Sequence, residues 1–513
     1  MNEHSRSAGM PQSTQYSPYS YFPSANLLSN LKASVSSTWI CTTLAVLATF
    51  LILEQTVYRV KKRHLPGSKW TIPIIGKFAD SMSPTLEGYQ KQWDSGSLTA
   101  LSVFNIFIVM ASSNDYARKI LNSPTYTEPA LVASGKQVLC EDNWVFLSGK
   151  AHVDYRRVLN TLFTRKALSL YLSLQDTLAR QHFTEWLKTC KETGKALTFM
   201  KPARDLNMRT SLKVFCGSHI PDDAVQEITD KYWLITRALE LVNFPLAIPG
   251  TKVYGAIQAR KVAVKWLSNA ARLSKIAMTE GSEPTCLLDR WVLELNNPEL
   301  KGSKKQFTDR QMALVILSFL FASQDAMSSG IIYAFQHFAD HPEVVEKVRE
   351  EQHRVRGGDY SRPMTLEMID DMPYLRACIR ESLRLKPPVC MVPYKAIKPF
   401  PISPEYTVPV NSMVIPSLYP SMHDPEVYPE PEKFLPERWL DPNGLAWSNP
   451  KQFLVFGSGP HKCIGIDYTL MHMACVMGTA AVLMDWKHEV TPQSDKVHLF
   501  PKDGCLLEFT PRV

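Results

Sequence analysis

The 513-residue sequence has little cysteine: ten residues, with no C-x-x-C and no paired spacing. That excludes a disulfide-built scaffold and leaves reduced thiols. No Asn-x-Ser/Thr sequon occurs, which agrees with a body on the cytoplasmic side. No internal repeat is visible, and no Gly/Ser-rich linker divides the chain. Neither sign of charge dominates, with 57 Lys+Arg against 49 Asp+Glu, a net +8. Hydrophobic residues make up 45% and charged residues 21%, so the chain is not disordered. A mean hydropathy of −0.14 argues against a polytopic membrane protein. The mild positive balance admits nucleic acid, a membrane surface or an acidic protein partner, and the placement of the charge has to choose. Length alone suggests about three domains.

What is present begins with one long apolar run. Residues 1–33 are rich in Ser, Pro, Asn and Tyr and read as a flexible lumenal tail. From Val35 to Leu53 no charge interrupts, and nineteen residues at 1.5 Å each give roughly 28 Å, about one hydrocarbon thickness. Trp39 and Tyr58 sit near its ends, as interfacial rings do. Arg59, Lys61, Lys62 and Arg63 follow, which predicts a cytoplasmic body and a tail on the other side. A cleaved signal peptide fits poorly, because its charges should precede the apolar run. The expected layout is an anchor at 34–56, a basic and proline-containing hinge at 57–80, and a catalytic domain at 81–513. Met312 to Ala322 is the next best apolar run, but it is short and interrupted by Ser318, so no second span is expected.

The body reads as mostly helical from about 140 to 386. Residues 387–460 hold 16 of the 36 prolines, and proline confines this part to coil, turns and short edge strands. A helical pattern resumes after Cys463 to about Met484, followed by β-like segments at Val497–Phe500 and Leu506–Phe509. Thr308-Asp309-Arg310-Gln311 matches a capping box. The helix it opens is expected to run to about Asp340, before Pro342. Its apolar pattern breaks at Ser323-Gln324-Asp325, and a charge there is costly unless paired or used.

One segment carries chemistry: Phe456-Gly457-Ser458-Gly459-Pro460-His461-Lys462-Cys463-Ile464-Gly465. Its glycines permit tight turns and close approach. Cys463 stands before a helix, whose dipole, with Lys462 and His461, favours a thiolate. A thiolate in such a loop suits a single axial ligand to haem iron. A dinucleotide loop is excluded, because Lys462 stands where its third glycine belongs.

These residues resemble the haem loop of the cytochrome P-450 family, Phe-x-x-Gly-x-(Arg/His)-x-Cys-x-Gly, at Phe456, Gly459, His461, Cys463 and Gly465. The family's Glu-x-x-Arg matches at Glu381 and Arg384, and its Phe-x-Pro-x-Arg at Phe434, Pro436 and Arg438. The resemblance implies a mainly α fold with small β-sheets behind a single transmembrane helix. It implies haem b (iron protoporphyrin IX) on the Cys463 thiolate, a structural triad of Glu381, Arg384 and Arg438, and an NADPH-cytochrome reductase as partner. The long helix resembles the family's oxygen-binding helix. Asp325 matches its proton-relaying acid, while Ala326 replaces the usual alcohol and Ser323 the usual glycine. Water held by Asp325, or the hydroxyl of Ser329 one turn on, is expected to substitute. His152, Arg156 and Arg157 resemble the residues that hold haem propionates.

The likeness extends to a subfamily. Phe319 to Ala326, Asp142 to Leu147, Glu240 to Pro245 and Pro387 to Lys395 are similar to segments of fungal sterol C-22 desaturases. That implies an endoplasmic reticulum membrane enzyme that desaturates an ergosterol-type side chain, with a sterol and membrane lipid as partners and no nucleic acid. Two departures mark the alternative, a paralogue that hydroxylates another steroid or terpenoid in specialised metabolism. Thr491–Cys505 is shorter than in those desaturases, and Ile466-Asp467-Tyr468-Thr469 differs from their usual Gln-x-Tyr-Ala.

Overall fold

The computed structural model describes residues 37–77, 85–130, 132, 134–239, 246–297, 306–492 and 500–512. The tail at 1–33, Glu240–Pro245 and most of Val497–Phe500 therefore lie outside the described residues. The chain divides into two units at Val60/Lys61.

The first unit carries helix α1, Ser37–Lys62, about 39 Å long at 1.5 Å per residue. Its apolar side chains, Trp39, Leu44, Leu47, Phe50 and Leu53 among them, are exposed. A long, exposed, apolar helix suits lipid, since backbone groups are satisfied internally and side chains meet hydrocarbon. The helix continues six residues past the expected end at 56.

The second unit is mainly helical, as its composition predicts. Its helices include α2 (Gly149–Asn160), α3 (Arg165–Thr193), α4 (Met200–Cys216), α5 (Asp222–Arg237), α6 (Lys252–Thr279), α7 (Asp309–Asp340), α8 (Pro342–Arg356), α9 (Pro373–Leu385) and α10 (Ile466–Leu483). A five-stranded sheet has β1 (Leu98–Val103) and β2 (Ile106–Ala111) as a hairpin. Its other strands are β3 (Thr127–Pro129), β5 (Tyr394–Ala396) and β8 (Met413–Pro416), in the order β1-β2-β8-β5-β3. A three-stranded sheet joins β4 (Leu197–Thr198), β10 (Leu506–Pro511) and β9 (Met484–His488). A two-stranded piece pairs β6 (Phe400–Pro401) with β7 (Thr407–Val408). The proline-rich stretch thus supplies short strands and turns, because each proline withholds a ladder donor. Residues of the expected hinge hydrogen-bond to β1: Ala100 N donates to the Pro66 carbonyl at 2.9 Å and Lys77 N to the Ser102 carbonyl at 2.8 Å.

Helix α7 crosses the core. Met312 to Leu320 and Met327 to Phe338 are buried throughout. Ser318, the interruption of its apolar run, is buried and satisfied: its hydroxyl donates to Asn143 Oδ1 at 2.7 Å and to the Leu314 carbonyl at 2.8 Å. The expectation of no second apolar helix of membrane length is corrected. Both α7 and α10 are long and apolar enough to span, yet 72% of each apolar window is buried in the body. The expected ends of α7 hold. Thr308 Oγ1 accepts from Gln311 N at 3.1 Å, and Gln311 Oε1 accepts from Thr308 N at 3.0 Å. Thr308→Ala removes one of these bonds and should weaken the first turn by about 1 kcal/mol. The measurement is amide exchange over residues 309–312, expected to quicken while the rest of α7 keeps its protection.

Candidate functional site

The Cys463 loop is built by backbone bonds. Gly457 N donates to the Leu454 carbonyl at 2.8 Å, Lys462 N to Gly459 at 3.0 Å, and Cys463 N to Phe456 at 2.9 Å. Gly457 and Gly459 sit at φ +70 and +74, where side-chain-bearing residues are strained. At Gly459 a Cβ would also lie 2.2 Å from the Leu121 carbonyl oxygen, so only glycine lets the loop approach the end of the short helix Asn114–Leu121. At Gly465, by contrast, an added Cβ would meet nothing within 4 Å. The loop then enters α10 three residues after Cys463.

The loop faces a cavity of about 290 Å³. Helix α7 contributes Phe319, Ala322, Ser323, Ala326 and Met327, and the loop entering β5 contributes Pro388, Val389 and Val392. Of the ten cysteines only Cys463 and Cys41 are exposed, and Cys41 is in α1. In the body, Cys463 lines this apolar space. That fits a large apolar cofactor with a single sulfur ligand.

Burial pushes the Cys463 thiol up, and the Gly465 N–H, Arg156 and Lys462 only partly oppose it. His461 adds no charge, because burial, with His152 and Arg156 beside it, lowers its pKa to about 4. A bound metal cation is the group that would hold the sulfur ionised.

Three sequence-predicted residues near the loop part company. His152 is buried, stacked on Trp144 at 6.0 Å, with its ring 4.2 Å from that of His461. Burial lowers its pKa, with Arg156 assisting. Arg156, one turn along α2, donates to the Lys462 carbonyl and to Asn160 Oδ1. Arg157 is exposed: one residue further is about 100° round the helix.

On α7, Ala322, Ser323 and Ala326 line the cavity, whereas Asp325 and Ser329 do not. The Asp325 carboxylate pairs with Arg204 of α4 at 2.9 Å, and Ser329 is fully buried. Arg204 was not legible in the sequence, because a pairing between distant helices leaves no local signal.

Glu381, Arg384 and Arg438 meet in one cluster. Glu381 is fully buried. Its Oε1 accepts from Arg384 Nη2 at 2.9 Å, Arg438 Nε at 3.0 Å and Leu435 N at 3.1 Å. Its Oε2 accepts from Arg384 Nε at 2.9 Å and Trp439 Nε1 at 2.9 Å. Two of these partners, Leu435 and Trp439, carry no motif signal in the sequence. Arg384 also donates to the carbonyls of Met422 and Pro431, each at 2.8 Å. Phe434 stacks on His337 at 4.9 Å.

The family model for cytochrome P450 matches residues 68–511. The chain belongs to the cytochrome P450 family. Its fold is similar to that of the retinoic acid-bound cyanobacterial CYP120A1, with TM-score 0.73 at 20% identity over 87% of this chain and 99% of the other. The cytochrome is 42% identical to the C-22 sterol desaturase ERG5A of Gibberella zeae, over 93% of this chain and 92% of that protein. It is 41% identical to the C-22 sterol desaturase ERG5 of Saccharomyces cerevisiae, over 90% and 88%. It is also 41% identical to the cytochrome P450 monooxygenase oblE of Emericella variicolor, over 91% and 92%. Family membership implies haem-thiolate iron binding, and the exposed thiol and apolar cavity fit it.

Two outcomes check the site. Cys463→Ala should abolish the red-shifted Soret band that a reduced, CO-bound haem thiolate shows, with the protein still folded by circular dichroism. Glu381→Ala leaves the Arg384 charge buried without its carboxylate and should cost about 3–5 kcal/mol, read as a lowered denaturation midpoint.

Proposed function

We propose that this cytochrome is a membrane-anchored sterol C-22 desaturase. In this reading it uses dioxygen and electrons from an NADPH-dependent reductase to form a side-chain double bond in an ergosterol-type sterol. One observation carries the reading: proteins named C-22 sterol desaturases match about nine tenths of the chain at 41–42% identity. The apolar cavity wall agrees, since a sterol leaves water for such a surface.

Cys463 would hold haem b through its thiolate, with His152 and Arg156 toward the propionates. When bound, the haem iron supplies the activation of dioxygen. The residues of the chain do the rest. Phe319, Ala322 and Ala326 on one side and Val389 and Val392 on another exclude water and orient the side chain. Orientation selects which hydrogens are within reach, and so alkene or alcohol as product. Asp325 holds a proton site beside Arg204, and Ala326 brings no hydroxyl to the cavity. Ser323 does, from its place on the wall.

Helix α1 and the cations after it support a single-pass anchor in the endoplasmic reticulum with the body in the cytoplasm. Behind the loop, Arg118, Arg380, Lys451 and Lys462 surround a second cavity, and this basic face suits an acidic reductase. A second reading, a hydroxylase of another steroid or terpenoid, rests on the equal similarity to the monooxygenase oblE. Membranes carrying the enzyme, given reductase, NADPH and candidate sterols, decide between them by product mass. Loss of two hydrogens supports desaturation. Gain of one oxygen atom, or no sterol product at all, overturns it.

A further inference from the structure

We propose that His219, Cys286 and Asp289 form a binding site for Zn2+, which clamps the end of α4 to the helix Leu287–Leu295. The proposal goes beyond the haem reading and does not rest on it.

The sequence supplies the donors in two pairs. Cys216-Gly217-Ser218-His219 and Cys286-Leu287-Leu288-Asp289 each set two residues between a thiol and a second donor. Structural zinc sites draw their ligands from such short spacings, because one turn of chain then points both side chains at one ion. The fold brings the two pairs together. His219 Nε2, Cys286 Sγ and one carboxylate oxygen of Asp289 lie within 4.8 Å of one another. Among the described residues no other three His, Cys, Asp or Glu side chains converge in this way. Cys286 and Asp289 are buried, while the His219 side chain is 13% exposed and gives an ion a way in.

The surroundings fit an ion. Asp289 is held from behind: Ser274 Oγ of α6 donates to its Oδ1 at 2.6 Å, and Thr285 N and Oγ1 donate to its Oδ2, each at 3.0 Å. Ligating carboxylates are fixed by such outer hydrogen bonds. Gly217, at φ +58, lets the first turn close on Cys286, since a Cβ there would lie 2.9 Å from Cys286 Cβ and 3.3 Å from its sulfur. Cys216 is buried beside both Cys286 and Asp289, so a fourth donor is at hand. A mixed set of nitrogen, sulfur and oxygen suits zinc and not the all-oxygen cations calcium and magnesium.

The contact that an ion would replace is His219 Nε2 to Asp289 Oδ1, at 2.8 Å. Ligand atoms round a tetrahedral zinc stand roughly 3.3–3.7 Å apart, so these two need part by only about half an ångström. Each thiol that coordinates releases its proton to solvent, and nothing is oxidised or reduced. Phe215 lines the main cavity and directly precedes Cys216. A clamp on this turn therefore also steadies the cavity wall.

The test strips the full-length, haem-loaded enzyme with a chelator and titrates it with Zn2+ alone. One equivalent should bind, and X-ray absorption at the zinc edge, where haem iron does not interfere, should show sulfur at about 2.3 Å. His219→Ala and Cys286→Ser should each weaken binding by about tenfold or more and keep the CO-bound Soret band. Zn2+ should raise the denaturation midpoint of the wild type and leave that of His219→Ala unchanged. If Cys286→Ser fails to fold, His219→Ala, replaced at the partly exposed rim, decides. Zinc held equally by wild type and His219→Ala, or no stoichiometric zinc in the wild type, would overturn the proposal. Zinc binding by a protein that lacks the haem spectrum would overturn the haem reading alone.

Discussion

Holding one thiol at the wall of an apolar cavity is the constraint on which the structure turns. Apolar side chains around a cavity tend to close it, and a close-packed interior leaves few voids. The loop resists closure because its course is set by backbone bonds at Gly457, Lys462 and Cys463 and by the approach of Gly459 to the Leu121 carbonyl. Cys463 lines that cavity, and apart from the half-buried Cys390 the other cysteines of the body are buried. The same burial that protects the site disfavours a bare thiolate. Loop and cofactor therefore depend on each other: the protein shapes the sulfur's position, and the metal would fix its charge.

A second buried charge system holds the surroundings in register. The carboxylate of Glu381 gathers donors from its own helix, from the segment at Leu435–Trp439 and from Arg438. Arg384 then reaches the carbonyls of Met422 and Pro431. Proline-rich coil cannot order itself by a regular ladder. Here it is ordered by carbonyls and amides converging on one ion pair, and that coil leads directly into the Cys463 loop. Such a network specifies geometry more than it adds net stability, because desolvating the charges offsets much of their attraction.

Helix α7 has two working faces. Small residues, Ala322, Ser323 and Ala326, face the cavity. Polar ones, Gln324, Asp325 and Ser328, face α4. The break in its apolar pattern is thus the seam between substrate space and a polar interface. Asp325 is paired there, and the charge that looked costly in the sequence is matched by Arg204.

Local rules read well from the chain alone. The capping box of α7, the end before Pro342, the coil of residues 387–460 and the exposed anchor follow from residues within a few positions of one another. So does the loop, whereas the triad joins two short motifs, and its Glu381 and Arg438 stand far apart in the chain. The Asp325–Arg204 pair, the exposure of Arg157 and the neutrality of His461 did not read from it. They depend on which helices meet and how much water remains between them, and no local spacing encodes that. By itself the sequence determined a cytochrome P450 with one exposed apolar helix near its start, because short motifs carry the backbone bonds that shape the loop. Only the tertiary structure decided that α7 turns its acid toward α4 and its small residues toward the cavity. Side-chain direction on a buried helix is settled by what packs against each face.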